Sequence, residues 1–259
     1  MKSLLILMTI ILSISNIFSQ DLSAYKKEIF SKGKYRMPYR ILYPEGYNAD
    51  KAYPLILVLH GSGERGNDNE LQLTHGADMF LGDTVRKKFP AIVVFPQCPE
   101  NSYWSNVNKK EVDGVFGFAF SKGEKPTSAM VTLQKLVKYL KGTYKLDAKR
   151  MYVGGLSMGG MGTFELVYRN PKTYAAAFPI CGGAHPDTAP KLTGPNWWIF
   201  HGDADGVVNY MHSQKMFEAL KKSGAEAKFS LYPDVTHNSW DNAFAEPELL
   251  PWLFTNTRK

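Results

Sequence analysis

The sequence has 259 residues, of which 44% are hydrophobic and 13% aromatic, enough apolar surface for a sizeable core; this composition excludes an intrinsically disordered chain. The formal net charge of +7 is dispersed in Lys-Lys pairs and forms no basic stripe with interleaved aromatic residues, so we expect no nucleic-acid partner. A chain of this length fits a single α/β domain.

The first twenty residues are typical of a signal peptide. Lys2 provides a positive start, residues 4–14 are almost wholly apolar, and small and polar residues follow up to Gln20. The apolar stretch is too short for a membrane span, and no later stretch is long enough for one. We therefore predict a signal peptide over residues 1–20 and a mature, secreted or periplasmic chain over residues 21–259 with no integral membrane segment.

Strand and helix patterns alternate along the rest of the chain. Two strands joined by Ser-Lys-Gly-Lys predict a hairpin, and continuous apolar runs predict strands that are buried on both faces. The predicted strands are residues 24–31, 35–43, 54–59, 90–95, 151–153, 175–180, 197–200 and 228–232. The predicted helices are residues 67–88 (weakly patterned), 127–140, 161–168, 210–223 and 240–254.

Residues 96–125 form a long segment with many aromatic residues and little periodicity. Segments of this length are usually functional or carry an inserted element. Elsewhere, strands that alternate with helices indicate βαβ units, which build a mostly parallel central sheet with helices on both faces. Because there is no repeat, linker or low-complexity stretch, we predict that residues 21–259 form one α/β domain.

Ser157 is the candidate nucleophile. It lies in Gly155-Leu-Ser-Met-Gly159, a G-x-S-x-G pattern with a strand-like run before it and a helix-like run after it. Glycine at both flanking positions allows a serine to stand on a sharp strand-to-helix turn, because a Cβ there would strike the helix or block the tight backbone. A glycine-rich loop with a capping serine is the simpler alternative, but the flanking patterns favour a nucleophile elbow.

A serine nucleophile needs a base and an orienting acid, which follow it in the chain order serine, acid, histidine. Among the six histidines, His237 fits this order because it follows the last predicted strand. His60 and His201 each precede a glycine at a strand exit, where a histidine is more often a packed loop former. The remaining histidines lie on a helix or outside the chain order: His75, His185 and His212.

Three aspartates are candidates for the acid. Asp203 and Asp205 follow the predicted strand at residues 197–200, and Asp234 lies three residues before the candidate base. Asp203 could hold its own turn, whereas Asp205 lies further out, where it could reach an imidazole. Spacing alone favours Asp205 only slightly.

An ester carbonyl also needs N–H donors aimed at its developing oxyanion, each contributing roughly 10²–10³ in rate. The candidates are the backbone N–H of Met158, directly after the nucleophile, and that of Ser62, in the glycine-rich loop after the first central strand. A phosphate cradle is the alternative for this loop, but it lacks the Gly-Lys-Ser/Thr ending of a P-loop. No His, Cys and Asp residues show metal-ligand spacing, so we expect no metal and no cofactor.

Four motifs carry a resemblance to a known family. They are residues 59–66 (Leu-His-Gly-Ser-Gly-Glu-Arg-Gly), 155–159 (Gly-Leu-Ser-Met-Gly), 201–205 (His-Gly-Asp-Ala-Asp) and 237–240 (His-Asn-Ser-Trp). In this order they resemble the α/β-hydrolase esterases, in particular the secreted carbohydrate-esterase and feruloyl-esterase-like group that also carries predicted-peptidase labels. The resemblance covers residues 35–252. It implies an α/β-hydrolase fold and makes Asp205 the acid; relatives often have proline after it, where this chain has Gly206.

These observations predict an exported serine hydrolase that cleaves carboxylic esters through an acyl-enzyme, with Ser157, Asp205 and His237 as its triad. The resemblance extends the substrate to small-molecule esters or to acetyl and feruloyl groups on polysaccharide. One alternative is a serine peptidase of the prolyl-oligopeptidase type, although such relatives usually add a gating domain that this chain is too short to hold. The other is an inactive binding module, whose mark would be the loss of a triad member.

Two further expectations concern Trp104 and the cysteines. Trp104 follows the strand at residues 90–95, on the side of the sheet where open α/β folds bind ligands, so it is a candidate substrate-binding residue. The alternative is that it packs the irregular segment onto the domain. Cys98 and Cys181 each follow a strand end, and in the α/β-hydrolase fold that the resemblance implies these ends are three strand spacings apart, or about 14 Å. A disulfide does not reach that far, so we expect two free thiols.

Overall fold

Strands and helices alternate along the chain, as the sequence patterns predict. The computed structural model describes residues 21–112 and 115–258, and the predicted signal peptide lies outside these ranges. The strands are β1 (Lys26–Lys32), β2 (Tyr35–Leu42), β3 (Tyr53–Leu59), β4 (Ile92–Pro96), β5 (Val107–Val112), β6 (Val115–Phe120), β7 (Leu146–Leu156), β8 (Ala176–Ile180), β9 (Asn196–Gly202) and β10 (Ala227–Tyr232). The helices are α1 (Asp83–Lys88), α2 (Ser128–Thr143), α3 (Met158–Arg169), α4 (Met211–Lys222), α5 (Trp240–Phe244) and α6 (Leu249–Thr255). Within the two described ranges, no helix combines the length and the apolarity that crossing a membrane requires.

The fold is built on an eight-stranded sheet with the order β1-β2-β4-β3-β7-β8-β9-β10. In the described part of the chain, the strands from β4 to β10 in that order run parallel to one another. The hairpin of β1 and β2 adds an antiparallel edge beside β4. This is the mostly parallel sheet that the alternating pattern predicts, and it gathers the carboxyl ends of β3, β7, β8, β9 and β10 at one edge.

Alternate residues of the central strands face two separate cores. Leu55, Leu57 and Leu59 of β3 belong to one core, whereas Ile56 and Val58 belong to the other. Side chains from α2, α3 and α4 complete the first core, and side chains from α5 and α6 complete the second. Because helices cover both faces, β3 and β4 are buried along their whole length, which explains their unbroken apolar sequences.

Two predicted helices are interrupted in the structure. Residues 67–88 contain the short 3-10 turns Leu71–Leu73 and Asp78–Phe80, followed by α1, in place of one weak helix. Residues 240–254 contain α5 and α6 in place of one helix. The break falls at Pro247, which has no N–H to donate and disfavours helical backbone at the residue before it.

The irregular segment after β4 contains an inserted hairpin, one of the two outcomes that its length predicts. Its strands β5 and β6 pair antiparallel in a small sheet of their own. On β6, the rings of Phe118 and Phe120 contact the ring of His212 on α4, with centroids 6.4 and 5.1 Å apart. The hairpin therefore lies beside the loop after β8 and the start of α4.

Candidate active site

Ser157 occupies a strained turn between β7 and α3. Its φ and ψ are 52° and −113°, a conformation that side-chain-bearing residues rarely adopt. The Ser157 N–H donates to the carbonyl of Ile180 in β8 at 2.8 Å, which fixes the turn against the neighbouring strand. A Cβ at Gly155 or Gly159 would lie 2.3 or 1.9 Å from the carbonyl oxygen of Leu59, so the end of β3 requires glycine at both positions.

The structure brings the side chains of Ser157, His237 and Asp205 together. Nε2 of His237 lies 3.0 Å from Ser157 Oγ, and its Nδ1 lies 2.7 Å from Asp205 Oδ2. Because a carboxylate can only accept, Nδ1 carries the proton and Nε2 of the neutral ring can accept from the serine hydroxyl. The Ser157 residue is buried, with 8% exposed, and the His237 side chain is 21% exposed, so His237 is the most exposed member of this chain of contacts.

Asp205 is buried and fully bonded. Its Oδ1 accepts from the N–H groups of Val207 and Val208 at 2.8 and 2.9 Å, which closes a turn after β9. Its Oδ2 contacts His237 and also Nε2 of His201, at 3.1 Å. Burial by itself would raise the pKa of the Asp205 carboxyl, but the bonds from the two histidines and the two amides hold that pKa well below its usual range. The carboxylate therefore stays ionised at any pH near neutrality.

The other two aspartates lie outside this arrangement. Asp203 and Asp234 are both exposed, and Oδ1 of Asp203 accepts from the backbone N–H of Asp234 at 2.7 Å. Asp203 thus ties the loop after β9 to the loop after β10, the one that carries His237. This contact suits the turn-holding alternative for Asp203, and Asp205 is the aspartate that faces the imidazole.

The two histidines expected as loop formers differ in the structure. His60 is a loop former: Nδ1 donates to Gly61 O at 2.6 Å, and Nε2 accepts from Cys98 N at 2.9 Å. Burial lowers the pKa of His60 to about 4, so its ring is neutral. His201 instead lies near the end of β9 and contacts Asp205 directly, which the sequence interpretation missed. The sequence feature that could have indicated this contact is that Asp205 follows His201 by four residues. That spacing brings the two side chains together only if the chain turns back between them.

The two candidate oxyanion donors belong to the start of α3, directly after the serine, and to the loop after β3. Met158 is the first residue of α3, so its N–H is among those that have no carbonyl partner inside the helix. Ser62 lies in the loop after β3, which rests against the elbow: a Cβ at Gly61 would be 3.0 Å from the side chain of Leu156. The Ser62 carbonyl accepts from Nε of Arg65 at 2.9 Å, which orients the loop.

Residues 47–247 match the phospholipase/carboxylesterase family. The chain belongs to this family. The predicted resemblance and the predicted α/β-hydrolase fold are thereby confirmed, and the protein is a carboxylesterase-type hydrolase.

Individual relatives support the same family over different shares of their length. A lysophospholipase-like protein 1 from Mus musculus is 22% identical over 77% of this chain and 85% of its own. A probable feruloyl esterase C from Aspergillus oryzae is 25% identical over 56% of this chain and 46% of its own. The solved structure of a thermostable esterase superposes with a TM-score of 0.81 at 30% identity, covering 91% of this chain and 64% of that one. The chain thus spans less than two thirds of the last two proteins, and their substrates are not assigned to it by likeness.

Trp104 does not face the site of this carboxylesterase-family chain. Its side chain is 0% exposed and belongs to the core beneath α2 and α3. The indole Nε1 donates to His60 O at 3.2 Å, and a Cβ at Gly162 would lie 2.5 Å from Trp104 Cβ. With no free ring face, Trp104 cannot form a substrate wall here. The predicted substrate-binding role is therefore corrected to the packing alternative, which the sequence could not exclude because burial depends on how the irregular segment folds back.

Both cysteines are free and buried, as predicted from the strand order. Cys181, however, lies beside the candidate triad, with possible ligand atoms of Cys181, Asp205 and His237 all within 4.8 Å of one another. Burial, with the nearby Asp205 charge, raises the pKa of the Cys181 thiol well above its usual range. The trio is a poor metal site because ligands must be deprotonated and free, whereas this thiol keeps its proton and the other two residues bond to each other.

A polar cleft of 610 Å³ opens between the loop after β3 and the inserted hairpin. No triad residue lines it, but Arg65 does, and the bond from Arg65 to Ser62 O connects the cleft to the candidate oxyanion loop. Ser105 is 5% exposed, and its Oγ has no hydrogen-bond partner among the described residues. The polar lining includes Arg65, Ser102, Ser105, Asn106, Ser121 and Thr127.

Proposed function

We propose that this protein is an exported serine hydrolase that cleaves carboxylic esters through an acyl-enzyme. Ser157 is the nucleophile, His237 the general base and acid, and Asp205 the group that orients His237. The observation that carries the proposal is the chain of contacts from Ser157 Oγ to His237 Nε2 at 3.0 Å and from His237 Nδ1 to Asp205 Oδ2 at 2.7 Å. A serine hydroxyl needs such a base to act as a nucleophile at neutral pH.

In the acylation half-reaction, Ser157 Oγ attacks the ester carbonyl while His237 Nε2 takes the hydroxyl proton. The Nδ1–H of the resulting imidazolium stays bonded to Asp205. Because hydrogen bonds keep the pKa of Asp205 well below its usual range, the carboxylate remains charged and stabilises the imidazolium. When the tetrahedral intermediate collapses, the bond to the alkoxy oxygen breaks and His237 gives its proton to the departing alcohol.

The deacylation half-reaction repeats these steps with water. His237 Nε2 removes a proton from a water molecule that attacks the acyl carbon. The second tetrahedral intermediate releases the carboxylic acid, and the proton returns from His237 to Ser157 Oγ. In both halves the N–H groups of Ser62 and Met158 donate to the oxyanion, each worth roughly 10²–10³ in rate.

Ser157 is a better nucleophile here than Cys181, although both lie near His237. The serine hydroxyl is in hydrogen-bond contact with Nε2, and the Ser157 residue is 8% exposed, whereas Cys181 is 0% exposed. Reaction at sulfur requires the thiolate, and burial raises the pKa of the Cys181 thiol well above its usual range. Cys181 is therefore an inert neighbour.

We infer that the alcohol part of the substrate is carbohydrate and that the acyl part is a small or feruloyl group. The polar cleft supports this because sugar hydroxyls require many hydrogen-bond partners, and the Ser105 hydroxyl is buried there without one among the described residues. The likeness to a probable feruloyl esterase supports the acyl part. Export is supported by the composition of residues 1–20 alone.

The test is a substrate panel of acetyl, butyryl and feruloyl esters, each on a small alcohol and on a xylo-oligosaccharide, together with peptidyl amides. The Ser157→Ala variant is the matched control, and a fluorophosphonate probe followed by peptide mass spectrometry locates the reactive residue. We expect ester turnover, modification of Ser157, and a loss of roughly 10⁴- to 10⁶-fold in kcat for Ser157→Ala without a change in fold. Activity should fall on the acid side of the pH profile, because the histidine base must be neutral.

Other outcomes would replace this proposal. Faster hydrolysis of peptidyl amides than of esters would make the protein a peptidase. Oligosaccharide binding without turnover of any substrate would make it a binding module. A Ser157→Ala variant within tenfold of the parent would remove Ser157 as the nucleophile.

A further inference from the structure

His201 supplies a second hydrogen bond to the oxygen of Asp205 that faces His237. Its side chain is 0% exposed, and Nε2 lies 3.1 Å from Asp205 Oδ2 and 2.8 Å from the carbonyl oxygen of Val208. A carboxylate and a carbonyl both only accept, so Nε2 of His201 carries a proton. Oδ2 of Asp205 is therefore shared between two imidazole N–H donors.

The contacts of Nδ1, the other ring nitrogen of His201, leave the proton on Nε2 in either charge state of the ring. Nδ1 lies 2.7 Å from Oγ of Ser213 on α4, and that Oγ lies 3.1 Å from the carbonyl oxygen of Gly182. The hydroxyl has one proton: if it goes to Nδ1 the ring is neutral, and if it goes to Gly182 the ring must be protonated at Nδ1 as well. In both arrangements the Nε2–H still points at Asp205. The contact is thus retained whichever charge His201 has.

The position of His201 in the sheet makes its contact with Asp205 rigid. His201 lies in β9, where its backbone is paired with Leu231 of β10. His201 Nε2 bonds both Asp205 Oδ2 and Val208 O, which lie at the two ends of the turn after β9. This is the turn in which Asp205 Oδ1 accepts from the backbone amides. Without His201, a buried carboxylate oxygen would lose one of its two donors and Val208 O would lose its partner.

We propose that His201 is a positioning residue of the esterase site, which holds Asp205 Oδ2 against Nδ1 of His237 and limits how strongly Asp205 stabilises the protonated His237. The inference rests on the proposed function. The physical reason for the second effect is that an oxygen that already accepts one hydrogen bond presents less negative charge to the other donor. If Asp205 stabilises the protonated form of His237 less strongly, His237 remains neutral, and hence active as a base, at lower pH.

The other titratable groups around this pair do not account for the effect. His212 of α4 faces His201, and its pKa is lowered mainly by burial, with Lys215 and His201 adding to the shift. Cys181, after β8, faces Asp205, and its pKa is raised mainly by burial. Both groups are therefore neutral around neutral pH. The titratable groups at the centre of the network are Asp205 and the two histidines that bond it.

The test compares His201→Phe, which keeps a ring but removes the donor, with His201→Gln, which keeps an uncharged N–H donor. The same change at a nearby histidine, His212→Phe, is the matched control. For each variant, kcat is normalised to the active serines titrated by a fluorophosphonate, and kcat/KM is measured from about pH 4.5 to 9 on a small ester. Titration of the active serine counts the folded sites. It therefore distinguishes a loss of activity caused by a poorly positioned Asp205 from a loss caused by misfolding.

We expect His201→Phe to lower kcat per titrated site by about 10- to 100-fold, with little change in KM, because His201 does not touch the substrate. The acid limb should move to higher pH by at least about half a unit, since Asp205 Oδ2 is no longer shared. His201→Gln should restore most of kcat and the position of the limb, and His212→Phe should keep both near the parent. An unmoved limb, or one moved to lower pH, overturns the inference, as does a loss that is explained by fewer titratable serines.

A measurement on the unaltered protein covers the case in which His201→Phe does not fold. With ¹⁵N-labelled histidine, the Nε2–H of His201 should be observed by NMR, and its signal should shift across the pH range in which activity falls on the acid side. A signal that does not respond overturns the inference. This result is separate from the proposed function, because fluorophosphonate labelling of Ser157 tests the esterase mechanism and the His201 signal tests the coupling through Asp205.

Discussion

The sheet edge that carries the candidate triad and the inserted segment after β4 use their polar groups in opposite ways. At the edge, Ser157 is bonded through its backbone to β8, and all the oxygen positions of Asp205 are engaged by two amides and two histidines. In the inserted segment, the Ser105 hydroxyl is buried and has no partner within the described residues. The comparison suggests that groups that perform chemistry are pre-organised by the protein, whereas a binding surface keeps polar groups for a ligand.

The largest expected effect comes from substitution of the candidate acid, Asp205. Asp205→Asn should lower kcat by about 10⁴-fold, because an amide can stabilise the wrong imidazole tautomer and carries no charge. Asp203→Asn is the matched control, since Asp203 is exposed and its side chain accepts only from the backbone N–H of Asp234 among the contacts of the described residues. It should change kcat by no more than a few fold. Steady-state kinetics on a small ester checks both, and a reversed order would make Asp203 the acid.

The next effect breaks the attachment of the inserted segment. Trp104→Ala should lower the free energy of unfolding by about 3–5 kcal/mol, because it empties a fully buried site in the core. KM should stay near that of the parent where the variant remains folded. Trp104→Phe, which keeps most of the ring but loses the bond to His60 O, should cost less. Urea unfolding and KM at low temperature are the measurements; an unchanged stability with a raised KM would instead support the ligand-wall role.

A smaller effect concerns the pH dependence of stability at the loop that faces the elbow. Burial lowers the pKa of His60 to about 4, below its ordinary value in an unfolded chain. Between about pH 6.5 and 4 the unfolded chain binds a proton that the folded chain excludes, so stability is fully present above this window and falls as the pH decreases, by ~3 kcal/mol in all. Asp205 has a lowered pKa, so its contribution is lost only below about pH 4.

The matched variant for this prediction is His60→Gln. It should be less stable than the parent at pH 7, because the bonds to Gly61 O and Cys98 N are disturbed, but it should lose less stability on acidification. Urea unfolding at pH 7 and pH 4.5 gives the two differences. Equal losses in the two proteins would show that another group causes the acid sensitivity.

The smallest effect sharpens the role of the cleft. Ser105→Ala removes a buried hydroxyl that has no partner among the described residues, so the free protein should be no less stable than the parent. If a sugar hydroxyl bonds Ser105, KM for a feruloylated xylo-oligosaccharide should rise by about two- to tenfold, corresponding to one hydrogen bond. KM for a small ester is the internal control and should not change. Equal KM values of the parent and the Ser105→Ala variant for the oligosaccharide would show that Ser105 does not bind the sugar.

Local sequence patterns were enough to predict the sheet, the turn at Ser157 and the order of the candidate triad. A buried strand is an apolar run of fixed length, and a turn that passes close to a neighbouring strand must lack a Cβ, as at Gly155 and Gly159. Both signals lie within a few neighbouring residues. The helix break at Pro247 was also readable, but the apolar spacing of residues 240–254 was given more weight than the proline.

Only the tertiary structure decided which polar groups meet across loops. Asp205 is shared by His201 and His237, Cys181 approaches Asp205 and His237, and Trp104 is buried in the core. Each of these contacts joins positions that lie on different strand ends or segments. Such contacts depend on how far each loop bends after its strand, and no residue pattern within one loop specifies that distance. The sequence by itself determined the fold and the turn of the candidate nucleophile, whereas the packing of the loops determined the environment around that turn.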